Sequence, residues 1–342
     1  MRIALDATYS LSTEPSGVGV YSREILNGAA ALEGAEIWDW FYRSQRYWRS
    51  WKQRLPHNVR RRFLSDSWGN RSADLFHGLN QRLPRKPFRK QIVTFHDLFV
   101  MTGDYSSPEF RSRFTAQARE AASRADLVIA VSEFTARQVS GLLEFDADRI
   151  RVIHHGTTPR NLPSIQRENI ILCVGAIQRR KNQAGLVRAF RAAPSDWKLV
   201  LAGSRGFGAE EVIREIETSS CADRIVRTGY VSESDLSVWY ARASIFAFPS
   251  LDEGFGMPIL DAMAAGIPVI CGNRSALPEV AGDAAIQVDP ERGDELSEAL
   301  RVLCAEPPRR QELAARGRAR SKLFSWQTAV DRTLTAYREV LR

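Results

Sequence analysis

The chain has 342 residues, 44% hydrophobic and 26% charged, with 22 Gly and 15 Pro. That near-average composition excludes a wholly disordered, collagen-like or coiled-coil protein and leaves room for two domains of ordinary size. The net charge is +8, yet residues 41–95 hold 14 Lys/Arg against only Asp66 and Asp74, so the basic character belongs to one region.

Short β-rich runs alternate with helix-length amphipathic stretches along almost the whole chain. Residues 2–7 and 36–40 read as strands around a helix at 21–31. Strands at 74–77, 91–96, 127–131 and 150–153 follow, with helices at 108–122 and 133–143 between the last three. Ser132 suits the N-cap of the second of these helices. A polar, Pro-bearing stretch, Thr157-Thr-Pro-Arg-Asn-Leu-Pro-Ser164, reads as a linker. The alternation then restarts with strands at 170–174, 198–202, 225–227, 244–248, 269–271 and 284–288. Helices at 182–192, 209–217, 233–241 and 258–265 lie between them, and further helices run to the C-terminus. This order predicts parallel sheets covered on both faces, in two doubly wound α/β domains. The expected division is residues 1–160 and 161–324, with 325–342 packing back on the first domain. Ligands of such sheets bind beyond the carboxyl ends of the strands.

No apolar run reaches the ~18 residues of a membrane span, and the early Asp6 interrupts any signal-peptide core, so a soluble cytoplasmic protein is expected. Cysteines 173, 221, 271 and 304 have no metal-ligand spacing and read as reduced structural residues.

The richest local signal runs from Ser250 to Val269, SLDEGFGMPILDAMAAGIPV. Glu253 sits in a Gly-rich loop, Pro258 suits a first helical position, and Asp261 falls in the first turn. Backbone N–H groups there could hold phosphate while the two carboxylates accept hydrogen bonds from sugar hydroxyls. A well-capped helix with an acid at its positive end explains the same residues.

Glu253, seven residues, then Asp261 resembles the Glu-x7-Glu signature of retaining glycosyltransferases of family 4. Further segments match in order: Ser16-Gly17-Val18-Gly19 as an N-terminal Gly-rich loop, Phe95-His96-Asp97, the run 125–133, Leu277-Pro-Glu-Val280 and Phe324-Ser-Trp326. The resemblance spans most of the chain. It implies a GT-B fold, two Rossmann-like domains facing a cleft, with a nucleotide diphosphate-sugar donor, retention of configuration, and neither metal nor cofactor. It also implies site roles. Arg180, Lys181 and the N–H groups of Gly17, Val18 and Gly19 would converge on the diphosphate, and Glu253 would hold sugar hydroxyls. Asp261 would take the ribose, His96 the sugar or developing oxocarbenium, and Gly254, Phe255 and Gly256 complete the donor loop. By their positions rather than by the resemblance, Tyr230 and Val231, after the strand at 225–227, would hold the base by backbone contacts, and His77, at the end of the strand at 74–77, would line the acceptor side. Two departures stand out: Asp261 replaces the usual Glu, and Ala176 stands where many relatives place Arg.

The chemistry fits these residue types, because breaking a glycosyl–diphosphate bond builds negative charge that fixed cations can stabilise. The overall likeness leans towards mannosyltransferases, hence GDP-mannose as the expected donor and a UDP-sugar as the next. The acceptor is expected to be a glycan or lipid-linked. An epimerase of nucleotide sugars shares the fold. A non-catalytic binder of nucleic acid or anionic membrane would account for the basic region alone; with the family motifs present, nucleic acid is not an expected partner. Rival motifs fail in context. Gly17-x-Gly19-x-x-Ser22 lacks the third Gly of a dinucleotide fingerprint. Asp146 and Asp148 read as solvated turn acids, and His154-His155 has no third metal ligand. The segment 40–54 mixes five Lys/Arg with six aromatics. Read as a helix, it sets Phe41, Trp48 and Trp51 on one face, which predicts a peripheral contact with the inner face of the plasma membrane.

Overall fold

The computed structural model describes residues 1–12, 16–32, 37–66 and 72–342. The chain divides into two compact units. One comprises Met1–Thr102, Ser107–Gly156 and Ser325–Arg342; the other comprises Gly103–Ser106 and Thr157–Phe324. The break at Gly156 rather than 160 has a local cause. The Thr157 amide donates to the Phe324 carbonyl, and the side chains of Thr157 and Arg160 bond to Asp261 of the second unit.

The first unit carries a seven-stranded parallel sheet, spatial order β3-β2-β1-β4-β5-β6-β7. Its strands are β1 (Arg2–Asp6), β2 (Ile37–Arg43), β3 (Val59–Leu64), β4 (Leu75–Gly78), β5 (Lys90–Phe95), β6 (Leu127–Ala130) and β7 (Ile150–Val152). Helices α1 (Gly17–Ala31), α2 (Ser44–Ser50), α3 (Phe99–Thr102), α4 (Pro108–Arg124) and α5 (Glu133–Leu143) connect them. β2 runs three residues further than the alternation at 36–40 suggested, because Phe41 and Tyr42 continue it; Glu36 lies outside the described residues. Trp38, Trp40 and Tyr42 pack on one face with α1, and Phe41 packs on the other against Phe76 and Phe88. The C-terminal helix Trp326–Leu341 buries Val330, Leu334 and Tyr337 in the core that also holds Tyr21 and Ile25.

β3 was not evident in the sequence, where Arg60-Arg-Arg-Phe63 read as part of a basic tract. It is an edge strand, and two of its three arginines are partnered: Arg62 pairs with Asp39 at 3.1 Å, and Arg61 donates to the Ser50 and Gln53 carbonyls. Charged side chains are usual at such an edge.

The second unit carries a six-stranded parallel sheet, order β10-β9-β8-β11-β12-β13. The strands are β8 (Glu168–Val174), β9 (Lys198–Ala202), β10 (Ile225–Gly229), β11 (Ala243–Phe248), β12 (Val269–Gly272) and β13 (Ala285–Val288). Around them lie α6 (Gln183–Phe190), α7 (Ala209–Glu217), α8 (Glu233–Arg242), α9 (Met257–Ala264), α10 (Leu277–Ala281), α11 (Gly293–Ala305) and α12 (Pro307–Ser321). β8, β11 and β12 are near-continuous apolar runs, as expected of strands covered on both faces. Both sheets are doubly wound, with strand order reversing between β1 and β4 and between β8 and β11. The four cysteines are buried and unbridged. Among the described residues no helix is long and apolar enough to cross a membrane.

Candidate active site

The switch point of the second sheet gathers the charged residues. After β8 the chain passes through Gly175 and a single 3-10 turn, Arg179–Lys181, to α6; after β11 it enters the loop 249–256 that leads to α9. These two connections meet. Glu253 Oε1 accepts hydrogen bonds from Lys181 Nζ at 2.8 Å and Ser250 Oγ at 2.8 Å, and lies 3.0 Å from Arg180 Nη1. Arg180 Nη1 also donates to the Asp252 carbonyl. Lys181 Nζ lies 4.4 Å from the centroid of the Phe248 ring, a cation–π contact. Gly175 is needed for this geometry: its φ is +135°, and a Cβ there would stand 2.8 Å from Lys181 Cε.

All three charges are buried, and they add to +1. Burial alone would raise the Glu253 pKa, but Arg180, Lys181 and the hydrogen bonds from Lys181 and Ser250 hold it down to about 2. Burial lowers the pKa of Lys181, and Glu253 opposes that shift. The carboxylate is therefore an anion that occupies two cations, which a more highly charged ligand can displace. Ser275 Oγ accepts the Glu253 amide at 3.0 Å and fixes the loop backbone. Ser250 and Ser275 were not singled out from sequence. Ser250 lay in the motif itself, whereas Ser275 is brought in by the tertiary fold.

Gly254, Phe255 and Gly256 end the loop. Gly256 is the N-cap of α9 with φ +114°, a conformation suited to glycine. The Phe255 side chain is buried against Phe324, with ring centroids 5.9 Å apart, which leaves its backbone as the part of the residue open to a ligand role. Asp261 lies on α9 and is bonded to Thr157 and Arg160, neither identified as a site residue in the sequence. Tyr230 and Val231 follow β10 at the sheet edge, two strands from β8 and hence roughly 10 Å away. Tyr230 is exposed.

In the first unit, Gly17, Val18 and Gly19 are not a loop: they form the first turn of α1, behind an N-cap Ser16 whose side chain makes no capping bond. Their amides precede the first intrahelical donor, so the turn presents backbone N–H groups after β1 at that sheet's switch point. His96 follows β5. Its Nε2 donates to the Leu79 carbonyl at 2.9 Å, which makes Nδ1 the lone-pair nitrogen. Nδ1 is buried and has no hydrogen-bond partner among the described residues. Burial takes the His96 pKa down to about 4, outweighing the Leu79 bond. The ring is neutral near pH 7 and is held edge-on by Tyr21 at 4.7 Å.

His77 does not line an acceptor surface. It is fully buried on β4, with Nδ1 2.6 Å from the Tyr337 hydroxyl and Nε2 2.8 Å from Thr94 Oγ1, and burial lowers its pKa to about 3. Residues 40–54 do not form the single aromatic helix expected. Phe41 belongs to β2, and α2 is only seven residues long. Trp48 and Trp51 are nonetheless 73% and 61% exposed. Part of the local positive charge is internally paired: Arg43 with Asp6 and Asp66, Arg2 and Arg62 with Asp39, and Lys90 with Asp126. Arg49, Lys52, Arg54 and Arg60 are exposed.

Two family models match in tandem, one described as Glycosyltransferase Family 4 over residues 18–160 and one as Glycosyl transferases group 1 over 157–320. O-antigen chain mannosyltransferase B of Escherichia coli is 33% identical over 282 residues, which cover 77% of this chain and 74% of that protein. Sucrose-phosphate synthase from Thermosynechococcus elongatus superposes with a TM-score of 0.79 at 22% identity, over 99% of this chain and 98% of that one. The Anabaena protein HepE, in complex with UDP and glucose, superposes with a TM-score of 0.78 at 17% identity, over 99% and 100%.

Proposed function

The chain belongs to the family 4 glycosyltransferases of GT-B fold, and from that premise we propose that it moves a mannosyl group from GDP-mannose to a glycan or lipid-linked acceptor, with retention of configuration and without a metal. Mannosyl transfer is supported by the mannosyltransferase relative at 33% identity. The observation that carries the donor site is the buried Glu253–Arg180–Lys181 cluster at the switch point of the second sheet.

In this reading the diphosphate takes Arg180 and Lys181 from Glu253. Two fixed cations in a dry site then stabilise the charge that grows on the leaving diphosphate as the glycosyl bond breaks. Glu253, released from part of its pairing, accepts from the hydroxyls of the transferred sugar. In the first unit, the Gly17–Gly19 amides at the start of α1 are proposed as a separate set of N–H donors suited to an anion. Asp261 accepts from the ribose, the backbone at Gly254–Gly256 lines the donor, and Tyr230 and Val231 receive the base. In the first unit, His96 is proposed as a neutral hydrogen-bond acceptor through Nδ1, able to take a hydroxyl's hydrogen bond but not to protonate a ligand near pH 7.

The acceptor is proposed to be membrane-bound, with the enzyme on the cytoplasmic face. Exposed Trp48 and Trp51 beside exposed Arg49, Lys52 and Arg54 suit the headgroup level of an anionic bilayer. Calorimetry with GDP, UDP and ADP, followed by turnover with GDP-mannose, tests the donor. Tighter binding of UDP than GDP would replace mannose as the transferred sugar's first candidate. An inverted anomeric centre in the product, read by NMR, would overturn retention.

A further inference from the structure

The segment that reads as a linker delivers two side chains to the residue that departs from the family pattern. Thr157 Oγ1 donates to Asp261 Oδ1 at 2.9 Å, and Arg160 Nη2 donates to Asp261 Oδ2 at 3.0 Å. Arg160 is itself held on two further sides. Its Nη1 bonds Glu233 Oε2 of α8 at 2.7 Å, and its guanidinium carbon sits 5.1 Å from the centre of the Tyr240 ring. The side chains of Arg160 and Asp261 remain 17% and 22% exposed, so a ligand can reach the carboxylate.

We propose that Arg160 and Thr157 are positioning residues that hold the shortened carboxylate of Asp261 where it receives the ribose hydroxyls of the nucleotide donor, an inference that rests on the donor site proposed above. A glutamate at this place brings its carboxylate to a ligand on an extra methylene and a free torsion. Aspartate ends about 1.5 Å earlier and must be aimed. Each carboxylate oxygen has two acceptor directions, and the clamp uses one of each, leaving the other for a vicinal diol. Arg160 also protects the charge the diol needs. Burial raises the Asp261 pKa, Glu233 adds to that, and Arg160 with the Thr157 bond opposes them. Tyr240 is the remaining titratable group against the pair, and burial raises its pKa well beyond the working range.

Calorimetry with GDP and UDP on the full-length protein between pH 5.5 and 8 tests the clamp, with thermal melts to confirm folding. Arg160→Ala is expected to weaken nucleotide binding about 10-fold at pH 7.5, the size of one lost charge-assisted bond. The loss should deepen as pH falls, because Asp261 without Arg160 takes its proton at a higher pH than in the wild type. Arg160→Lys, which keeps the charge, should restore the wild-type pH profile while recovering only part of the affinity. In an Asp261→Ala background, Arg160→Ala should add less than about a twofold loss, since it acts through a carboxylate already gone. If Arg160→Ala does not fold, Arg160→Lys and Thr157→Val carry the same cycle. Losses that multiply across the cycle, or a wild-type pH profile in Arg160→Ala, overturn the clamp. No binding of either nucleotide to the wild type overturns the donor site as well.

Discussion

Glu253→Gln removes an anion that pairs with two buried cations, Arg180 and Lys181. At an effective dielectric of about 20, a contact near 3.0 Å carries a gross attraction of about 5–6 kcal/mol, much of it offset by desolvation. Measured losses on deleting one partner of a buried pair are about 3–5 kcal/mol, because the other charge is left uncompensated. For a unit of this size that lowers the melting temperature by roughly 6–20 °C. The Lys181 pKa, already lowered by burial, drops further without Glu253. The unfolded state then binds more protons between the lowered folded pKa and the ordinary lysine value, so the variant should regain stability as pH rises through that window. A nucleoside diphosphate replaces the missing anion. It should therefore raise the melting temperature of the variant by several degrees more than it raises that of the wild type, although turnover falls sharply. The assay is a thermal melt with and without saturating GDP or UDP. A nucleotide-induced shift smaller in the variant than in the wild type would refute the competition between Glu253 and the diphosphate for Arg180 and Lys181.

Lys181→Ala should weaken nucleoside diphosphate binding by ~1.5–3 kcal/mol in calorimetry, and EDTA should leave turnover intact; activity lost to chelation and restored by Mn²⁺ would contradict the metal-free mechanism. His77 and His96, with folded pKa values near 3 and 4, bind fewer protons than the unfolded chain below pH 6.5. Each should therefore cost about 2 kcal/mol of stability between pH 6.5 and 5, and denaturant unfolding that is flat across that interval would remove the argument. Neutralising Arg49, Lys52 and Arg54 should reduce co-sedimentation with anionic liposomes, by about 1 kcal/mol for each charge near the surface, and high salt should do the same. Equal pelleting of that variant would rule out this face as the membrane contact.

Local pattern alone determined most of the architecture. The helices Glu133–Leu143 and Ala209–Glu217 and the strand Lys198–Ala202 have the bounds that periodicity suggested, and Ser132 caps its helix as its type implies. Such signals span a few residues and survive without tertiary context. Edge strand β3 escaped because an Arg-rich run lacks apolar alternation; it pairs only since β2 offers an edge, with Asp39 to receive Arg62. The residues of the candidate site were legible as types, but their pairings were not. Lys181 and Glu253 are 72 residues apart and Arg160 and Asp261 are 101 apart, so contact depends on which strands become neighbours. The placing of β8 beside β11 turns separate cations and an acid into one buried cluster. His77 illustrates the converse. A histidine at a strand end looks available in sequence, and only packing against Tyr337 and Thr94, from segments distant in the chain, consumes both its nitrogens.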